Sequence, residues 1–245
     1  MLSNVNNYNL VVYCDNASYS YIEPYLHNNR ITAVIKPVET FSTYHLKDHW
    51  IKNHSQNVLL KDRVDWTLNM LWSEKIHFVQ ETIRERHFDS DWYGWIDIGY
   101  FRGRIVDTPM VDLEQWPHDT AVNALDKTKI YYACVNNNME YIKPLSQMIL
   151  DRNSVGLPRF PIPDNQVSIA GGFFLGTKEN LEWWHNTYYN LLGTYFKNER
   201  LVKDDQIIVA DGIFSNLDRF SLCGEQDPRY DNWFLFQRYL LQDRS

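Results

Sequence analysis

A chain of 245 residues, 44% hydrophobic and 22% charged, has an ordinary globular composition and is long enough to bury one large α/β core. Its formal net charge of −7, with no Lys/Arg run, excludes nucleic acid as a partner, because that contact needs a basic face to displace counterions. Nothing approaches the roughly 20 consecutive apolar residues of a membrane span, and the N-terminus lacks the basic start of a signal peptide. Cys14, Cys134 and Cys223 are odd in number, far apart and without CxxC spacing, so neither a disulfide framework nor a zinc site is implied. They read as buried thiols of a reducing compartment, which makes the cytoplasm the expected location. The 9 Trp and 16 Tyr suit a carbohydrate-handling surface and equally a core of large side chains.

Tyr8–Cys14 reads as a first strand, followed by the polar turn 15–18, a short helix over Tyr19–Leu26 and a second strand, Ile31–Ile35, stopped by Pro37. A helix is expected from Thr43 to Asn53. Its His45 and His49 have metal-capable spacing, but together with His54 they read as a solvated face. From Val64, apolar residues at Leu68, Leu71, Trp72, Ile76, Val79 and Ile83 mark one face of a long helix. That helix feeds a short strand, Tyr93–Ile96, which delivers Asp97 into a turn opened by Gly99. Residues 103–128 look like a loop. Ile130–Val135 is a strand, Met139–Asp151 a helix, and Gly156–Pro163 a Pro-rich loop forming a wall or a packed crossing. Val167–Leu175 is a strand interrupted by Gly171-Gly172. Thr177 caps a helix whose inner face is Leu181, Trp184, Tyr188, Leu191 and Tyr195. A short helix, Ile207–Ala210, follows Asp204-Asp205-Gln206, and apolar Trp233–Leu241 docks back on the sheet. Alternating strands and helices predict one domain with a largely parallel sheet.

Three clusters could carry chemistry. Asp97 stands at the end of a strand, where parallel α/β sheets bind ligands, and is either a turn cap or a contact to a metal or a phosphate-bearing substrate. The Gly171-Gly172 pair marks either a bulge or the close approach of a ligand or another backbone. In Asp204-Asp205-Gln206 one Asp suffices as a helix cap, leaving a carboxylate and an amide that could steer sugar hydroxyls or act as base or nucleophile. The chain has no GxxxxGK[ST], GxGxxG, GxSxG or HExxH motif, so the P-loop, dinucleotide, common α/β-hydrolase and zincin readings are set aside.

In their order, Trp95-Ile-Asp97-Ile-Gly99-Tyr-Phe-Arg102, the preceding helix with Lys75, Ala170-Gly-Gly-Phe-Phe-Leu-Gly176 and Asp204-Asp-Gln206 resemble the GT-A-type glycosyltransferases. Among these they are most similar to the bacterial HtrL/YibB family, whose W-x-D-x-G strand end is followed by an Arg. The resemblance extends from about residue 8 to 220. It implies an α/β, GT-A (Rossmann-like) fold with a mostly parallel sheet flanked by helices, forming a single domain over 1–245. It also implies a nucleotide-sugar donor, a UDP-sugar being favoured, and a glycan acceptor. In that class a D-x-D motif holds Mn²⁺ or Mg²⁺ on the donor diphosphate. Asp97 matches the first position as metal ligand, whereas Gly99 replaces the second. No His follows His185, so the region that carries a histidine ligand in glycogenin-like members offers Asp218, Asp227 or Asp231 instead.

Carried over residue by residue, Tyr13 and Asp15 would face the nucleobase, and Lys75 and Arg102 the diphosphate. Gly171 and Gly172 would admit the donor sugar. Asp205 and Gln206 would serve the catalytic step, with Asp204 as helix cap. The implied activity is transfer of a sugar from a nucleotide-diphosphate donor to a glycan or other acceptor. Loss of the D-x-D points instead to an inactive module that binds a nucleotide or a partner. A sugar-nucleotide-forming nucleotidyltransferase would need a Gly-rich signature after the first strand, which is missing. The end at 242–245, without an evident acceptor-binding subdomain, is what the donor domain of a longer protein would show.

Overall fold

Short apolar runs become strands and amphipathic segments become helices along almost the whole chain. The computed structural model describes residues 1–104, 107–225 and 227–241, so the chain end at 242–245 lies outside the described residues. In order come β1 (Leu10–Cys14), α1 (Asn16–Ile22), β2 (Ile31–Ile35), α2 (Lys47–Gln56), α3 (Trp66–Glu85), β3 (Trp92–Ile96), α4 (Asp119–Asn123), β4 (Ile130–Cys134), α5 (Met139–Leu150), β5 (Ile169–Thr177), α6 (Lys178–Lys197), α7 (Asp205–Phe214), β6 (Phe220–Cys223) and α8 (Phe236–Tyr239). β2 has its expected bounds. α1 begins at Asn16 because Asp15 caps it, and α7 begins at Asp205, which places both Asp205 and Gln206 inside a helix. Thr177 precedes α6 without making a capping bond; its hydroxyl donates to the Lys127 carbonyl. Among the described residues no helix is long and apolar enough to cross a membrane.

A mostly parallel sheet does not form. β1 and β2 make a parallel pair of their own, while a second sheet has the order β3-β5-β4-β6. In it β5 runs antiparallel to both neighbours, and only β4 and β6 are parallel. The reason lies in the connection. Alternating elements give parallel strands when a helix alone returns the chain, but here the long segment 151–168 follows α5 and carries the chain back toward the end of β4. The Val135 amide there donates to the Ser168 carbonyl, so β5 starts where β4 finishes.

β5 separates two apolar layers. Phe174 packs with Tyr132, Trp184 and Tyr188 under α3, α6 and α7. Phe173 faces the other way, stacked on Phe236 of α8 at 4.6 Å, so the apolar C-terminal run does dock on the sheet. The alternation of faces breaks at Gly171-Gly172. Cys134 pairs with Ile169 and Tyr132 with Phe174, so two steps along β4 match five along β5. The double glycine lies in this bulge.

Helix α3 departs from a simple amphipathic stripe. Leu68, Leu71 and Trp72 are only partly buried, whereas Asn69, Ser73, Glu74 and Lys75 are buried. Glu74 accepts hydrogen bonds from the backbone and hydroxyls of both Ser42 and Thr43, which ties α3 to the segment before α2.

Gly94, in the middle of β3, has a strict packing role. A Cβ there would lie 2.2 Å from the Phe174 carbonyl oxygen of β5. Gly94→Ala is therefore expected to separate β3 from β5 and to cost about 1–3 kcal/mol, in the manner of an overpacked core. The check is a shift of the urea midpoint without change of slope.

Candidate active site

Strand β3 ends at Ile96, and the next amide, of Asp97, donates to the Gly172 carbonyl at 2.9 Å. Because β5 is antiparallel, its early residues stand beside the end of β3, with Ile96 facing Phe173. The double glycine is thereby brought under Asp97. A Cβ on Gly172 would lie 3.4 Å from Asp97 Oδ2, and one on Gly171 would lie 3.0 Å from Asp205 Oδ2. The room left by the missing side chains is thus taken by two carboxylates. Asp97 is held further by Trp95, whose indole Nε1 donates to Oδ1 at 2.6 Å. Strand alternation puts residues i and i+2 on one side, so this contact is built into the W-x-D spacing.

Asp205 comes from the first turn of α7. That helix is held in the interior by apolar residues and by Asp211, which accepts from Arg152 at 2.5 Å and from the Tyr195 hydroxyl at 2.7 Å. Lys75 reaches in from α3 and joins the two carboxylates. Its Nζ lies 3.3 Å from Asp97 Oδ1 and 3.4 Å from Asp205 Oδ2, and it donates to the Gly171 carbonyl at 2.9 Å. The side chains of Lys75 and Asp205 are each 9% exposed, whereas that of Asp97 is 41% exposed, so the triangle opens to solvent at Asp97. Asp204 stands at the cap position, where the Gln206 amide faces it without closing a capping hydrogen bond; its Oδ2 pairs with Lys203 Nζ at 2.8 Å.

These groups line a cleft of about 360 Å³ with Gly99, Arg102, Arg104, Gln206, Asp231 and Phe234. Arg102 folds back so that Nε donates to the Gly99 carbonyl at 2.7 Å, and a Cβ on Gly99 would press on the guanidinium at 2.9 Å. Arg104 pairs with Asp107 and Asp231 and lies over the Phe234 ring at 4.1 Å. Trp72, Lys75, Asp97, Gly99 and Arg102 also border a larger cavity, about 660 Å³, between β1 and β3. Tyr8, Tyr13, Trp92, Trp95 and Trp116 help to wall it.

The structure therefore brings Lys75, Asp97, Arg102, Gly171, Gly172, Asp205 and Gln206 together, with Tyr13 in the adjoining cavity. Tyr13 stacks on Phe78, and its hydroxyl bonds to the Phe78 carbonyl and Thr82. Asp15 stands apart: it is exposed and caps α1 through the Ser18 amide. Of the three late aspartates, Asp231 lines the cleft, while Asp227 is held by Arg229. His45 and His49 do not converge on a metal position; His45 bonds to the Ser42 carbonyl and His49 stacks on Phe196. Sequence reading missed Arg104 and Phe234; Arg104 is held by nearby Asp107 and, across the chain, by Asp231 and the Phe234 ring. Trp95 carried a readable signal in its spacing.

The donor set does not fit a resident Mn²⁺ or Mg²⁺. Hard cations need several oxygens, yet the space between Asp97 and Asp205 is held by an ammonium. Among the described residues no three His, Cys, Asp or Glu side chains converge to hold a metal ion.

Burial pushes the Asp205 carboxyl up to about 7; Lys75 opposes the rise, and the negative charges of Asp204 and Asp97 reinforce it. Burial likewise raises Asp204 against the pull of Lys203. For Lys75, burial alone would depress the ammonium, but Asp205 and Asp97 together hold it above its usual value.

A carboxyl whose pKa is raised on folding favours the native state at low pH, and that contribution is lost as pH rises through the native value. For Asp205 the loss runs from about pH 4 to about pH 7. Asp205→Asn mimics the protonated acid. It is expected to match the wild-type Tm near pH 4 and to exceed it at pH 8, by roughly 2–4 °C for each kcal/mol regained. Paired thermal melts at the two pH values check this.

No curated protein and no solved structure matches the chain. The family model described as "Bacterial protein of unknown function (HtrL_YibB)" matches residues 61–239, which span α3, β3, the double glycine and the Asp204-Asp205-Gln206 turn. The chain belongs to the HtrL/YibB family.

Proposed function

We propose that this protein is a glycosyltransferase that moves a sugar from a nucleotide-diphosphate donor, a UDP-sugar being favoured, to a glycan acceptor. The observation that carries the reading is the convergence of Asp97, Lys75, Gly171-Gly172 and Asp205-Gln206 in one cleft that borders an aromatic cavity. The likeness to GT-A enzymes rests on motif order and not on the sheet as a whole, and it is an argument by analogy.

In this reading the nucleobase enters the 660 Å³ cavity, whose aromatic walls suit a flat ring. Arg102, at the junction of the two spaces, faces the diphosphate and offsets the charge that develops as it leaves. Asp205 accepts the proton of the acceptor hydroxyl while Gln206 orients that group. The acceptor oxygen bonds to the anomeric carbon as the bond to the diphosphate breaks, and the nucleoside diphosphate departs with the electron pair. A base whose pKa lies close to 7 is well matched to this role, and activity is expected to rise with pH through that value.

The second reading is a binding module without turnover. It is favoured by Gly99 at the place of a second carboxylate and by the full engagement of Lys75.

Thermal shift against UDP, GDP, CMP and dTDP is the first test. One nucleotide, UDP by expectation, should raise Tm by roughly 5–10 °C when present at a hundred times its Kd. Donor turnover is then compared between the wild type and Asp205→Ala. A drop of about 10²–10⁴ with nucleotide binding retained supports the transferase. Turnover that survives removes Asp205 from the chemistry. Nucleotide binding without turnover in the wild type favours the binding module, and no nucleotide binding at all sinks the first reading.

A further inference from the structure

Two carboxylates from distant elements, Asp97 after β3 and Asp205 at the start of α7, face one position between them. Lys75 Nζ fills it at 3.3 and 3.4 Å, separations suited to an ammonium and not to the roughly 2.0–2.6 Å of a divalent cation bound to oxygen. The third donor direction of the ammonium goes to the Gly171 carbonyl, which the bulge in β5 turns toward it at 2.9 Å. The amine enters from a 20-residue helix that Glu74, the preceding residue, anchors to Ser42 and Thr43. Both glycines leave the carboxylates room to sit there, since a side chain at Gly171 or Gly172 would press on Asp205 or Asp97.

We propose that Lys75 is the built-in cation of the Asp97–Asp205 pair, occupying the position a divalent metal would take, so that ligands bind in this cleft without metal. Lys75 is then a positioning residue that holds both carboxylates, and Arg102 is left to meet a phosphate-bearing ligand. This last clause alone rests on the nucleotide-sugar reading. The occupancy of the position by Lys75 does not.

The test is a Mn²⁺ titration followed by electron paramagnetic resonance, with no nucleotide present. Wild-type protein is expected to bind no Mn²⁺ in the micromolar range and to keep its Tm when EDTA is added. Lys75→Met opens the position and leaves two carboxylates facing each other. It should bind Mn²⁺ about 10²–10³-fold more tightly than the wild type, the change expected from removing a unit charge a few Å away in a partly buried site. Adding Asp97→Asn to Lys75→Met should abolish the gain.

Micromolar Mn²⁺ binding by the wild type that Asp97→Asn removes would overturn the proposal. So would a folded Lys75→Met that gains no affinity. If Lys75→Met does not fold, the double variant Lys75→Met/Asp205→Asn removes one charge of each sign. Recovery of the native circular dichroism in that variant supports Lys75 as counter-charge, and continued unfolding overturns it. A failure here would leave the transferase reading intact with a metal in place, whereas absent nucleotide binding would leave this result standing.

Discussion

The hydrogen bond from the Asp97 amide to the Gly172 carbonyl is the joint on which the candidate site depends. It closes the antiparallel pairing of β3 and β5 at the end where β3 stops. The pairing sets Gly171-Gly172 beneath the strand-end carboxylate, and the bulge there turns the Gly171 carbonyl toward Lys75. Were β5 parallel to β3, its first residues would stand at the other end of the sheet. Asp97, Lys75 and Asp205 would then lack their common floor.

The electrostatic consequences follow from burial. An isolated carboxylate with so little exposure as Asp205 would be costly, and a lone ammonium equally so. Together with Asp97 they form a triangle of two negative charges and one positive, open to water on the Asp97 side. Such a group is weak evidence for stability, because breaking it costs more than its formation gains. The arrangement is better understood as stability given up to hold a carboxylate of raised pKa against a cleft, a combination that clusters at functional sites. The surrounding structure supports the arrangement from several sides: Glu74 fixes the helix that carries Lys75, Asp211 and Arg152 fix the helix that carries Asp205, and Trp95 fixes Asp97.

Much of this was legible in the chain itself, and for identifiable reasons. Local hydrophobic pattern placed β1, β2, β3, β4, α5 and α6 to within a few residues, because period and flanking breakers are properties of adjacent residues. The same locality explains where the folded chain differs: α7 extends over Asp205–Phe214 and not over Ile207–Ala210 alone, because Asp205 and Gln206 look like a turn until tertiary packing buries the helix. The resemblance assigns Lys75 to the diphosphate; its pairing with Asp97 and Asp205 is not legible in the sequence, because neither carboxylate is near it along the chain.

Local pattern is enough to place most of the elements and the residue types able to do chemistry: Asp97 at a strand end, a double glycine inside a strand, and Asp205-Gln206 at a helix start; it does not show α4, inside the apparent loop 103–128, or β6. The tertiary structure alone decided the direction of β5, the bulge that makes use of the glycines, and the meeting of Lys75 with both carboxylates. Propensity and periodicity act over a few neighbouring residues. Strand direction and ion pairing are settled by contacts between segments tens to more than a hundred residues apart, which only the folded chain brings together.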